Sequence, residues 1–174
     1  MAKEKPAERD YQEFIECLNK HKVDYLILGA YAVIRHTKIA RETKDIDFWI
    51  KDSLENAKKT AAAVKEFAGI TVDPQELIKK DEIYYIGRVP RRIDIFCNQA
   101  DLNFDEAYKE RVKDKFLDSE VSFISLKDLL KLKQHYICKE NEDTYSKDIK
   151  RLTNVLERVR SLLHNLIVSV KNQK

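Results

Sequence analysis

The sequence predicts an α+β (or α/β) fold, with a small mixed sheet flanked by helices and a C-terminal helical layer. Two observations predict it. Short runs of β-branched and aromatic residues alternate with longer segments of helical period, and the helical segments concentrate at the end of the chain. No Pro- or Gly-rich stretch or internal repeat divides the 174 residues, which hold three Gly and three Pro. Residues 1–140 are expected to form the core and 141–174 a helix packing on it, one domain overall.

The elements follow in order. Tyr11, Phe14, Ile15 and Leu18 share one face of a helix over about residues 8–20. Tyr25-Leu26-Ile27-Leu28 is a short apolar run ended by Gly29 and reads as a buried strand, with a helix starting directly from that Gly. Residues 45–50 alternate polar and apolar and form a second strand. Ser53 caps a helix to about residue 67, and Asp73-Pro74 starts a short helical piece. Residues 83–86 and 92–97 make two strands around a turn at 87–90. A helix over 105–112 and a strand over 121–124 come next. Ser125 then caps a helix to about residue 139, and a longer helix spans roughly 144–170.

Composition excludes several classes. Hydrophobic residues at 43% suffice for a core, and 33 basic against 30 acidic residues give a net charge of only +3, far from a dedicated polyanion coat. No apolar run approaches the ~20 residues of a membrane span. The first ten residues carry no apolar h-region, so a cytoplasmic protein is expected. Cys17, Cys97 and Cys138 are widely spaced and odd in number, which suits small buried apolar residues better than a disulfide framework or zinc ribbon. His21, His36, His135 and His164 have no metal-ligand spacing. P-loop, G-x-G-x-x-G and H-E-x-x-H motifs are all absent.

Asp45 and Asp47 stand two apart on a strand, so both carboxylates project from one face, Cα atoms ~6.5–7 Å apart, while Ile46, Phe48 and Ile50 face the other way. Asp94, between Ile93 and Ile95 on a later strand, adds a third. Hard divalent cations take hard oxygen donors, and clustered carboxylates repel unless a cation joins them. An arbitrary Asp-x-Asp is an ordinary solvated strand face; what distinguishes this one is the strand–Gly29–helix unit sixteen residues upstream, whose helix start offers N–H groups and a positive dipole end to phosphate.

Residues 26–50, with Gly29, Asp45 and Asp47, resemble the signature of the DNA polymerase β-like nucleotidyltransferase superfamily. Glu55-Asn56-Ala57, Ile86-Gly87 through Arg92-Ile93-Asp94-Ile95, Phe104-Asp105-Glu106-Ala107 and Ile124-Ser125-Leu126-Lys127-Asp128-Leu129 extend the likeness in order and spacing over residues 10–155. Within the superfamily the chain is most similar to small bacterial proteins of the abortive-infection AbiEii type and lincosamide type. The resemblance implies Mg²⁺ (or Mn²⁺) on Asp45, Asp47 and Asp94, with Asp94 also activating the acceptor hydroxyl and the backbone of Gly29 facing the triphosphate of an NTP. One position departs: Ala30 follows Gly29 where related sequences carry Ser or a second Gly, so only its N–H is offered to phosphate.

Two charged residues fall on apolar helix stripes. Lys133 is centred among Leu126, Leu129, Leu130 and Ile137, and Asp148 lies within the stripe Tyr145, Ile149, Leu152, Val155, Leu156, Val159, Leu163, Leu166 and Val170. They either pair with each other or serve the site, Lys133 reaching a phosphate and Asp148 orienting it. Arg41, Thr43 and Lys44, just before the Asp pair, are candidates for phosphate contact, with a solvated loop as the alternative. Arg88, Arg91 and Arg92 either line an acceptor site or decorate an exposed hairpin. From Lys150 onward six Lys or Arg face one acidic residue. The stripe running to Val170 leaves a homodimer open.

The expected function is metal-dependent transfer of an NMP from an NTP to an acceptor hydroxyl, on a small molecule, tRNA or protein, with release of pyrophosphate. One alternative is a nucleotide- or partner-binding module that kept the fold and lost turnover, which Ala30 favours. The other is an RNA-directed toxin-type nucleotidyltransferase, which the basic final helix favours.

Overall fold

The computed structural model describes residues 6–137 and 142–171. Helix α1 (Pro6–Lys20) leads into strand β1 (Tyr25–Ile27), α2 (Gly29–Thr37) and β2 (Asp45–Ile50). There follow α3 (Leu54–Ala68), α4 (Pro74–Leu77), β3 (Tyr84–Ile86), β4 (Arg92–Phe96), α5 (Phe104–Lys109), β5 (Val112–Phe116) and β6 (Ser119–Phe123). Helices α6 (Leu126–Tyr136) and α7 (Glu142–Lys171) close the chain. The six strands form one mixed sheet in the order β3-β4-β2-β1-β6-β5, parallel at β2–β4 and β1–β6 and antiparallel elsewhere.

Local chemistry places the helix starts. The side chains of Ser53, Asp73, Asn103 and Ser125 accept the N–H groups of Asn56, Gln75, Glu106 and Asp128, each satisfying a donor that the first turn leaves orphaned. Helix α3 ends at Gly69, whose φ of +69° closes the last turn at no Cβ penalty. One strand, β5, has no counterpart in the predicted elements. Its sequence, Val-Lys-Asp-Lys-Phe, is mostly charged, as suits a sheet edge that must not template further pairing, and its turn uses Leu117 at φ +50° instead of Gly.

The core forms because β2 alternates. Ile46, Phe48 and Ile50 are fully buried on one face, where Phe48 meets the edge of Phe14 from α1 at 5.3 Å between ring centroids. Burying each such side chain contributes about 1.5–3 kcal/mol. On the opposite face Trp49 is buried against Phe104 and donates its indole N–H to the Cys97 carbonyl, while Asp45 and Asp47 occupy the same face toward the strand's beginning. Cys97 is buried as expected and Cys17 half-buried; Cys138 lies outside the described residues, as do the residues around the expected 140/141 boundary. Helix α7 packs on α6 and α2. Its apolar stripe is buried at Leu152, half-buried at Tyr145, Ile149, Val155 and Leu156, and exposed from Val159 onward. No described helix is long and apolar enough to cross a membrane.

Candidate active site

Parallel pairing of β2 with β4 brings the three carboxylates together. The register sets Asp47 beside Asp94 and Asp45 beside Arg92, so all four side chains emerge on one sheet face. β3 joins from the far side, with Tyr85 opposite Asp94. From the other direction, β1 ends at Ile27, and the N–H of the next residue, Leu28, donates to the Asp47 carbonyl. Helix α2 begins at Gly29 with φ +59° and with no side-chain cap from Leu28, so its first-turn N–H groups are open to a ligand. The fit at this junction is tight: a Cβ on Gly29 would lie 1.8 Å from Oδ2 of Asp47. Only Gly permits both the φ and the approach.

Together these elements line a cleft of about 1270 Å³, on whose wall Lys133 and Tyr145 also lie. That exceeds the usual pocket for a single small ligand.

The electrostatics are crowded. Burial pushes the Asp47 carboxyl up to about 7, and the charges of Asp45 and Asp94 add to the effect. Asp94 is also raised, first by burial and then by Asp45, against the opposing Arg92 guanidinium. That guanidinium donates Nε to Asp94 Oδ1 at 2.6 Å, and Nη2 to Asp94 Oδ2 at 2.8 Å and to Asp45 Oδ2 at 3.0 Å. Asp47 makes no ion pair with a described residue. As placed, no three described His, Cys, Asp or Glu side chains close into a ready cation cage, and Arg92 bridges Asp45 and Asp94. The donor set still suits a hard divalent cation: three carboxylates on one sheet face, one of them without an ion-pair partner among the described residues and raised first by burial and then by like charge.

The remaining predicted residues divide into two groups. Lys133 and Asp148, both buried, form an ion pair at 3.1 Å between α6 and α7, and Lys133 Nζ also sits 4.2 Å from the ring centroid of Tyr145. Burial pushes the Lys133 ammonium down, Asp148 opposes this, and the field of Asp47 reaches it as well. Arg41 joins this pair, its Nη1 3.4 Å from Asp148 Oδ2. Thr43 turns inward, donating its hydroxyl to the Asp45 backbone carbonyl at 3.0 Å and placing it 3.2 Å from Asp45 Oδ1. Ala30 is buried at the α2 start, and Lys44 is exposed on the cleft rim. Arg91 is exposed and paired with Asp10. Sequence reading assigned Arg92 to the hairpin or an acceptor site; strand alternation already sets it on the face of Asp94, two residues on, and that signal points to the carboxylates.

No protein-family model matches the chain, and no curated protein matches it in sequence. Solved structures do match. The solution structure of the antibiotic-resistance factor ANT(2'')-Ia superposes with a TM-score of 0.58 at 10% identity, over 95% of each chain. The crystal structure of the lincosamide antibiotic adenylyltransferase LnuA, with lincomycin bound, gives a TM-score of 0.54 at 17% identity, over 85% of this chain and 97% of the other. At these identities the likeness is one of fold. The chain shares the mixed α/β fold of these two structures.

Proposed function

We propose that the protein transfers a nucleotidyl group from an NTP to an acceptor hydroxyl, with Asp45, Asp47 and Asp94 holding a divalent cation such as Mg²⁺. The observation that carries this reading is the convergence of three carboxylates on one sheet face beside the uncapped start of α2 at Gly29. The cation supplies neutralisation of the triphosphate and of charge developing during transfer.

The chain's own residues divide the rest of the work. The N–H groups at Gly29 and Ala30 donate to the phosphate oxygens at the positive end of α2, and Lys133 adds a cation on the same cleft wall. Asp148, buried against Lys133, fixes where that ammonium stands. Thr43 holds Asp45 in place, and Lys44 borders the mouth. An Asp94 carboxylate oxygen takes the proton of the acceptor hydroxyl as that oxygen bonds to the α-phosphorus. The α–β phosphoanhydride bond breaks and pyrophosphate leaves. Most of the acceleration then comes from positioning and fixed charge.

Calorimetric titration with each NTP, with and without Mg²⁺, beside the Asp45→Asn/Asp47→Asn double variant, tests the reading. Binding that requires both metal and carboxylates is expected; equal binding by a folded double variant overturns the site. Arg92 on Asp45 and Asp94 favours a second reading, a nucleotide-binding module without turnover. Metal-dependent NTP binding with no pyrophosphate release from the NTP, whatever acceptor hydroxyl is offered, would select it.

A further inference from the structure

A cation already sits among the site's carboxylates. The Arg92 guanidinium grips Asp94 with two bonds of 2.6 and 2.8 Å and reaches Asp45 with a third of 3.0 Å. It joins the carboxylates of two adjacent strands, as a bound metal ion would have to. All three are charge-assisted bonds in a planar fork, the strongest class a side chain makes with carboxylates. Tyr85 steadies it from the outer side, its ring centroid 4.7 Å from the guanidinium carbon. The site's other nearby cations, Lys133 and Arg41, are engaged by Asp148.

Resting on the reading above, we propose that Arg92 is a built-in counter-ion that keeps the seat closed to free divalent metal, so that the cation enters only together with a triphosphate. A bare divalent ion must part the guanidinium from three bonds and gives it no new anion. A metal–triphosphate complex brings its own phosphate oxygens, which suit a guanidinium fork as well as carboxylates do. The exchange then swaps one set of charge-assisted bonds for another. Arg92 therefore acts as a positioning residue, and its effect shows in the order of binding.

Mn²⁺ uptake by the full chain, read from the resonance of the free ion, separates the outcomes. Wild type, Arg92→Gln and Arg92→Lys are compared with Mn²⁺ alone and with Mn²⁺ plus inorganic tripolyphosphate or each of the four ribonucleoside triphosphates. Wild type is expected to take up Mn²⁺ only with a triphosphate. Arg92→Gln should bind Mn²⁺ alone at least about tenfold more tightly than wild type, having lost the competing charge-assisted bonds. Arg92→Lys, which keeps the charge without the fork, should fall between and serves as the variant if Arg92→Gln fails to fold. If triphosphate-dependent uptake is seen but neither variant gains affinity for Mn²⁺ alone, the counter-ion role is overturned and the metal site stands. If wild type takes up no Mn²⁺ even with a triphosphate, the metal site itself is overturned, and Arg92 is then a structural clasp between β2 and β4.

Discussion

Replacing Asp47 by Asn should make the protein more stable while removing its capacity for metal-bound nucleotide. The Asp47 carboxyl is pushed from an ordinary value of 3.8 up to about 7, first by burial and then by Asp45 and Asp94. A raised carboxyl binds its proton more tightly in the folded chain than in the unfolded one. Stability therefore falls as pH rises from about 4 to about 7, and the full penalty is present above 7. Roughly three pH units at 1.36 kcal/mol each would give about 4 kcal/mol; because Asp47 keeps partial contact with water, about 2 kcal/mol is the working figure. For a chain of this size that corresponds to roughly 4–8 °C in Tm.

Thermal melts of parent and Asp47→Asn, metal-free across pH 4.5 to 8.5, isolate the effect, since every other titrating group is common to both. The gain should be near zero at the acid end and grow to its limit above neutrality. Metal-dependent NTP binding should be lost in the same variant. A lower Tm for Asp47→Asn at pH 8, or a gain independent of pH, would refute the reasoning, because the carboxylate would then be a supporting member of the fold.

Gly29→Ala meets two obstacles at once, a left-handed φ of +59° and a Cβ placed 1.8 Å from Asp47 Oδ2. It should lose about 2 kcal/mol or more in denaturant melts, and adding Asp47→Ala should restore the steric part alone, leaving the 1–2 kcal/mol of backbone strain; simple additivity would show that the two do not touch. Lys133→Met strands Asp148 in the interior with Arg41 as its remaining ion-pair partner among the described residues and should lose about 3–5 kcal/mol, whereas Lys133→Met with Asp148→Leu should recover most of it and still bind NTP weakly. Full NTP binding by that double variant would confine Lys133 to a structural role.

The strand–Gly–helix unit and the Asp-x-Asp strand were legible because their signals are local. Alternation fixes which carboxylates share a face, and an apolar run ended by Gly fixes where α2 begins. That Asp94 stands beside Asp47 is not local: it depends on β2 and β4 pairing in parallel, 47 residues apart, and only the family resemblance placed it in advance. The β5 strand escaped notice because an edge strand rich in Lys and Asp carries little hydrophobic signal, and its turn has Leu117 where Gly or Asn would have marked it. Lys133 and Asp148 were visible as charges on apolar stripes, since a charge there must find a partner. Arg41 stood out beside the Asp pair as a candidate for phosphate contact, but its pairing with Asp148 was not legible, because nothing in a loop sequence says which helix it will reach.

Charge placement separates what the fold supports from what it tolerates. Asp148 is answered by Lys133 and Arg41, and Asp45 and Asp94 by Arg92, so these carboxylates are neutralised within the chain. Asp47 alone among them has no such partner, and the same carboxylate is wedged against the glycine that opens α2. A sequence shaped only by stability would place Asn, Thr or an apolar residue there, since each avoids burying a repelled charge. An unanswered carboxylate at the junction of an open helix start and two further carboxylates makes sense if positive charge arrives from outside. The helix dipole at Gly29 would favour phosphate at the same point. On the proposed function, a metal–triphosphate complex would meet both demands at once, whereas a free anion would repel the carboxylates and a free cation would have to contend with Arg92.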